Sequence, residues 1–362
     1  MGEILGAGTT HYPGFLYPPE AMYEAVVRAT KNPRAPEEWR EPSGWPAPLR
    51  EELGEDNGAS AGVKHRAKVM DGFHQIRDAI DAFAPDFVLI FGDDQWENFH
   101  DDLVPPFAVY AWDEVECQPF MRRGYVGDGE NAWGEPRDTV FRFKGHRQAG
   151  VHLVNELMAQ DFDIAYSYRP LHATGLAHAH LNTLLYLDDD RRGWSYPVLP
   201  VHINCHGDRF VRNHAIGGPT NTELPPDPQS PSPRRCFELG RAVARALVDS
   251  PWRVVIIGSA SWSHGSLTAK HSWVYPDVEA DQRLFERLAA NDLTYFRDIT
   301  AEELEEAGQL EVRDWCAVIG AMYELGRQVE VVDFSNSYIF NSSKCAVLFP
   351  PISRETAGSV DG

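Results

Sequence analysis

Positive charge is scarce in this chain. Lys and Arg number 33 against 54 Asp and Glu, a formal net charge of −21 over 362 residues. Nucleic-acid binding demands basic patches that release counterions, so no nucleic-acid partner is expected. The same balance argues against an anionic membrane surface. Cysteine is sparse and unpaired in pattern. The five residues Cys117, Cys205, Cys236, Cys316 and Cys345 form no CxxC. A reduced, cytoplasmic setting is therefore expected, without a disulfide framework or a structural zinc site. The N-terminus lacks a basic stretch followed by an apolar one, so no signal peptide is expected. No apolar run approaches the roughly 18–20 residues that span a bilayer, and no membrane partner is expected. Internal repeats are absent. So are GxGxxG after a strand, a P-loop, GxSxG and HExxH, which leaves nucleotide transfer and serine-hydrolase chemistry without support.

What is present is an alternation of apolar strands with amphipathic helices. Strands are predicted at Ile4–Thr10, Phe87–Phe91, Pro106–Trp112, Asp163–Tyr168, Val198–Ile203 and from Arg253, with closing strands at Val329–Phe334 and Ala346–Phe349. Helical spacing marks Val63–Phe83, Arg147–Gln160, His178–Leu187, Arg235–Ser250, Asp281–Ala290, Ala301–Gly308 and Glu311–Leu325. Thr300 with Glu303 three residues on has the form of a capping box. Pro33–Gly62, Gly124–Arg137 and Gly217–Arg234 read as loops, and long loops in compact domains serve as lids or stay disordered. The expectation is a single α/β domain over residues 1–350, with a central mixed, largely parallel sheet flanked by helices, long loop insertions, and a tail over 351–362.

Ligands gather at the carboxyl ends of strands in open α/β sheets. His11 leaves the first strand in Thr-Thr-His-Tyr-Pro, and His264 follows the strand from Arg253 in Ser-Trp-Ser-His-Gly. These two suggest one shared site. His178 and His180 have i, i+2 spacing, which splits them across a helix, so at most one serves that site. Glu311 opens a mostly apolar helix, where an exposed carboxylate favoured by the helix dipole is the plainer alternative. Asp93-Asp94-Gln95 follows the second strand and can cap a helix or bind a cation. His, His and Glu from distant segments are the components of a non-haem iron facial triad.

Together these segments resemble the catalytic (LigB-like) subunits of type II extradiol dioxygenases, the family of protocatechuate 4,5-dioxygenase. The resemblance runs in order through Thr-Thr-His11-Tyr-Pro, Asp-Asp-Gln95, Pro106-Phe107-Ala108, Lys144-Gly-His146, Asp161-Phe-Asp-Ile164 and Ala177-His178-Ala. It continues through Arg235-Cys-Phe-Glu-Leu-Gly240, Ser263-His264, Glu311-Val-Arg-Asp-Trp315 and Gly320-Ala-Met322. It implies a Fe(II)-dependent enzyme that opens a catechol-type aromatic ring beside its two hydroxyls with O2, acting on a protocatechuate-, gallate- or O-methylgallate-like compound. His11 and Glu311 fall on two of the family's three iron ligands. His264 falls on the acid–base histidine that takes the catechol proton and later returns one, a role suited to histidine near neutrality. His178 falls on a second pocket histidine. Where the family's second iron-binding histidine stands, this chain has Gln95. Either Gln95 binds the metal weakly, or His65 (the preferred substitute), Asp94, Glu97 or His100 completes the shell, or the site has lost its iron. The branch with Gly-Asp-Asp-Gln resembles 3-O-methylgallate dioxygenases, which favours retained activity. The rivals are a catalytically silent binding or scaffold protein and a metal-dependent hydrolase on the same site. Arg169, Arg209 and Arg212 are candidates for binding a substrate carboxylate. The resemblance further implies a homo-oligomer, and some relatives need a small accessory subunit that the loops at 33–62 and 217–234 could replace as lids.

Overall fold

The computed structural model describes residues 2–121, 130–170, 172, 175–213 and 223–351. The strands are β1 (Glu3–Thr9), β2 (Phe87–Gly92), β3 (Phe107–Tyr110), β4 (Glu114–Cys117), β5 (Phe141–Lys144), β6 (Ala165–Ser167), β7 (Val198–Ile203), β8 (Arg253–Ser259), β9 (Glu330–Ser335) and β10 (Lys344–Phe349). The helices are α1 (Glu24–Thr30), α2 (Ala47–Leu53), α3 (Ala59–Phe83), α4 (Arg147–Met158), α5 (His178–Leu187), α6 (Pro233–Val248), α7 (Val278–Ala289), α8 (Tyr295–Asp298), α9 (Ala301–Ala307) and α10 (Val312–Glu324).

An eight-stranded sheet has the order β6-β3-β7-β2-β8-β1-β10-β9. Its centre, β7-β2-β8-β1, is parallel throughout, whereas β10 and β9 add antiparallel strands at one side. The central strands read Phe-Val-Leu-Ile-Phe-Gly and Arg-Val-Val-Ile-Ile-Gly-Ser, apolar without alternation, because helices cover both faces. One face packs against α4, α6 and α10, and the other against α1, α2, α3 and α5. This is the mixed, largely parallel α/β sheet expected from the alternation of elements.

Helix α10 reaches the site because it lies unusually close to its neighbours. A Cβ on Gly240 of α6 would fall 1.8 Å from the Ala317 carbonyl, and one on Gly320 would fall 2.1 Å from the Phe237 carbonyl. Glycine at both positions lets the two helix backbones touch. Trp315 anchors the same helix to β1 by donating Nε1–H to the Thr9 carbonyl at 3.1 Å. Helix α9 carries the expected capping box of Thr300 and Glu303.

Several local expectations differ. The stretch 33–62 is not one irregular excursion: it holds 3-10 turns, α2 and the start of α3 at Ala59. Short elements without a full amphipathic repeat leave too little periodicity to detect. The antiparallel pair β4–β5 and the short helix α8 were likewise invisible. Parts of the loops at 124–137 and 217–234, and nearly all of the 351–362 tail, lie outside the described residues. All five cysteines are buried and none is in a disulfide. Among the described residues no helix is long and apolar enough to cross a membrane.

Candidate metal centre

Parallel strands deliver their following residues to one edge of the sheet, and here four of them do so side by side. β1 is followed by His11, β2 by Asp93 and Gln95, β7 by His206, and β8 by His264. Glu311 joins them from the residue before α10, where the helix N-terminus favours a carboxylate. It is fully buried, not the exposed helix-start acid of the plainer alternative.

The side chains meet through their donor atoms. His11 Nε2 lies 3.1 Å from Glu311 Oε2 and 3.6 Å from Asp93 Oδ1. His206 Nε2 lies 3.0 Å from Asp93 Oδ2 and 3.7 Å from Glu311 Oε1. The four groups therefore form a closed ring in which imidazoles and carboxylates alternate. His264 Nε2 adds a contact of 3.2 Å to Glu311 Oε1. Gln95 Nε2 donates to Asp93 Oδ2 at 3.2 Å and to Glu311 Oε1 at 3.0 Å, and sits 3.2 Å from His206 Nε2.

The orientation of each ring follows from its other nitrogen. His11 Nδ1 faces the Ser259 carbonyl at 3.2 Å and its hydroxyl at 3.1 Å, so Nδ1–H is the donor and Nε2 is the nitrogen turned toward the acids. His264 does the same through Nδ1 and the Trp262 carbonyl at 2.8 Å. His178 begins α5, and Glu97 accepts from both its backbone N–H and its Nδ1, the latter at 2.9 Å. Asp94 accepts the backbone N–H groups of Glu97 and Asn98, which folds the loop that carries Glu97.

Charge is concentrated here. For Glu311, burial opposes ionisation, yet the imidazoles of His264 and His11 hold its carboxyl well below the usual range. Burial and the Glu311 charge push Asp93 upward, but the His206 hydrogen bond and the charges of His11 and His178 bring it to about 2. Burial disfavours the His206 imidazolium, and the bonds to Asp93 and Glu311 overcome it, raising the group to about 9. His178 likewise rises to about 9 because Glu97 outweighs its burial. By contrast, burial keeps His180 near 4, so it is neutral.

A divalent cation fits this ring. His11 Nε2, Asp93 Oδ1 and Glu311 Oε2 are buried, and no well-formed hydrogen bond reaches them among the described residues. Unsatisfied buried acceptors are costly unless something positive meets them. Donor atoms of Asp93, His206 and Glu311 all lie within 4.8 Å of one another, and so do those of His11, Asp93 and His178. The backing of His11 by Ser259 is the outer support that metal-bound histidines commonly have.

The family model for the catalytic LigB subunit of aromatic ring-opening dioxygenase matches residues 228–348, the part that contains His264 and Glu311. Over that stretch the chain is similar to the LigB family. Among its relatives is a 2,3-dihydroxyphenylpropionate/2,3-dihydroxicinnamic acid 1,2-dioxygenase of Photorhabdus laumondii, 26% identical over 57% of this chain. The chain spans about half of that relative's length, 52%. A protein of the same name from Burkholderia vietnamiensis is 26% identical over 71% of this chain and 82% of its own. Among solved structures, the uncharacterized protein JW3007 of Escherichia coli K12 superposes with a TM-score of 0.46 at 12% identity, over 78% of this chain and 92% of its own.

The structure brings His11, Gln95, His178, His264 and Glu311 together at one edge of the sheet. It does not bring His65 to the ring: that imidazole lies against Phe15 and Phe340, neutral through burial and the nearby Lys344. Asp94 and Glu97 are occupied as described, and His100 stacks between Trp96 and His172. Of the arginines, Arg209 pairs with Glu305 at 2.7 Å, and Arg169 borders a cavity of about 350 Å³ lined by Phe99, Tyr110 and Trp112 but by none of the ring residues. The Arg212 backbone N–H donates to Asp227. Asp93 was read only within a run that could cap a helix or bind a cation, and His206 in Asn-Cys-His-Gly was passed over although it too follows an apolar strand.

Proposed function

We propose that this protein is an extradiol dioxygenase that uses Fe(II) and O2 to open the ring of a catechol-type aromatic, of protocatechuate, gallate or O-methylgallate type. The observation that carries the reading is the ring of buried, unsatisfied donor atoms on His11, Asp93 and Glu311, flanked by two further imidazoles. His11 and Glu311 would hold the metal. When bound, Fe(II) supplies neighbouring open positions for a catechol and O2 and the redox chemistry that joins them.

The remaining work falls to protein groups. His264 turns Nε2 toward Glu311 and takes the catechol proton, because its Nδ1–H is fixed on the Trp262 carbonyl. His178, raised to about 9 by Glu97, keeps its proton at neutral pH and donates to developing negative charge on oxygen. The carbon–carbon bond beside the two hydroxyls breaks, both atoms of O2 enter the product, and no external reductant is consumed. The relatives named for 2,3-dihydroxyphenylpropionate widen the panel to catechols with a carboxylate side chain.

The test is anaerobic loading with Fe(II), followed by O2 consumption with catechol, protocatechuate, gallate, 3-O-methylgallate and 2,3-dihydroxyphenylpropionate. One O2 per substrate and a yellow ring-opened product are expected. Iron bound at one per chain with no uptake across that panel would overturn the reading. Zinc retention with oxygen-insensitive turnover would replace it with a hydrolase.

A further inference from the structure

We infer that His206 is the second imidazole ligand of this centre, and that Gln95 is a hydrogen-bonding clamp on Asp93 and Glu311 rather than a ligand. The inference rests on the reading above only in taking the ring to hold a divalent cation.

Position comes first. β7 lies parallel to β2 with Gly92 opposite His202, so the residues that leave these strands emerge side by side. Asn204 shapes the exit turn by accepting the backbone N–H groups of His206 and Gly207, both at 3.2 Å. The turn is also packed from outside, because a Cβ on Gly207 would fall 2.3 Å from the Ser230 nitrogen. His206 therefore enters the ring from a built turn, is 2% exposed, and faces Asp93 at 3.0 Å and Glu311 at 3.7 Å.

The chemistry of Gln95 points the other way. Its contacts to the acids are made by the NH2 group, which has no lone pair for a metal. Two carboxylates at about hydrogen-bond distance select the donor end of an amide and repel its oxygen. Gln95 thus offers a partial positive charge to the same oxygens that a cation would neutralise. His11, His206 and Glu311 then supply two imidazoles and one carboxylate, with Asp93 as a further oxygen donor. That set suits Fe(II), whereas replacing one imidazole by an amide oxygen would tilt the site toward harder cations such as Mn(II).

The experiment uses the full chain, stripped by chelation and titrated anaerobically with Fe(II) and with Mn(II). His206→Ala should weaken Fe(II) binding by more than about 100-fold, beyond what loss of an outer hydrogen-bond partner causes, and Gln95→Ala should stay within about 10–100-fold. The double variant Gln95→His/His206→Ala should recover Fe(II) binding. Protein loaded with Cu(II) should show two coupled imidazoles by pulsed EPR in the wild type and one in His206→Gln, a difference that identifies the ligand even if His206→Ala fails to fold. A single coupled imidazole, or loss of metal in Gln95→Ala with retention in His206→Ala, would overturn the assignment while leaving the dioxygenase reading intact. Metal binding that follows His206 without O2 uptake on any catechol would sink the dioxygenase reading and leave this assignment standing. A wild-type chain that takes up no metal would end both.

Discussion

Replacing Glu97 with Gln tests whether His178 is kept as an acid by its partner. Glu97 Oε2 lies 2.9 Å from His178 Nδ1, and the pair is the main force raising that imidazole to about 9 against its burial. An opposite charge at such range shifts a pKa by about 1–3 units, or roughly 1.4–4 kcal/mol. Glu97→Gln keeps an acceptor for the backbone N–H and removes the charge, so His178 should fall to about 6–8. The sign is fixed by the direction of the shift. The imidazolium is fully present at low pH and is lost as pH rises through about 9 in the wild type. The basic limb of kcat/KM should therefore move down by about 1–3 units in the variant, with metal content unchanged. A bound cation lowers both profiles together, so the difference between them is the quantity to read. The pair also stabilises the fold most below the ordinary histidine range and progressively less up to about pH 9. NMR titration of His178 in both proteins gives the shift directly. An unmoved limb and an unmoved His178 titration would refute the argument.

His11→Ala and Glu311→Ala should abolish metal retention by anaerobic metal analysis. His264→Ala should keep the metal and slow turnover by roughly two to four orders of magnitude, and loss of metal there would contradict its role as base. Asp281 is raised to about 6 by burial, and its Oδ1 accepts from Ser263 N–H and from Gln309. Because the folded state binds that proton more tightly, stability falls as pH rises from the ordinary aspartate range to about 6 and stays lowered above it. Asp281→Asn keeps the Oδ1 acceptor, so it should stabilise the protein by about 1–3 kcal/mol at pH 8 and by almost nothing near pH 4, read by urea unfolding. Gly240→Ala should cost about 1–3 kcal/mol by forcing α6 from α10, and an unchanged melting temperature would show that the contact is not tight.

Much of the site was legible because strand-to-loop junctions in α/β chains announce where chemistry sits. His11 and His264 stand directly after apolar runs, and Glu311 stands before the most apolar of the late helices. His206 stands in the same kind of place, but a histidine three residues past a strand is common and no local pattern separates a ligand from a core residue. His65 and His206 look alike in sequence. One sits on a long helix whose buried face meets Phe15 and Phe340, and the other leaves a strand adjacent to β2.

The sequence by itself determined the long elements, since uninterrupted apolar runs make doubly covered strands and 3.6-residue periodicity makes the helices between them. It also determined the chemical types available for a metal centre: imidazoles and carboxylates at the ends of those elements. Strand order was decided only in three dimensions. Placing β2 between β7 and β8 sets Asp93 beside His206, and placing β8 beside β1 sets His264 near His11. The close approach of α6 and α10 then carries Glu311 into the ring. Pairing between strands far apart in the chain depends on the packing of the whole sheet, and no window of residues contains that information.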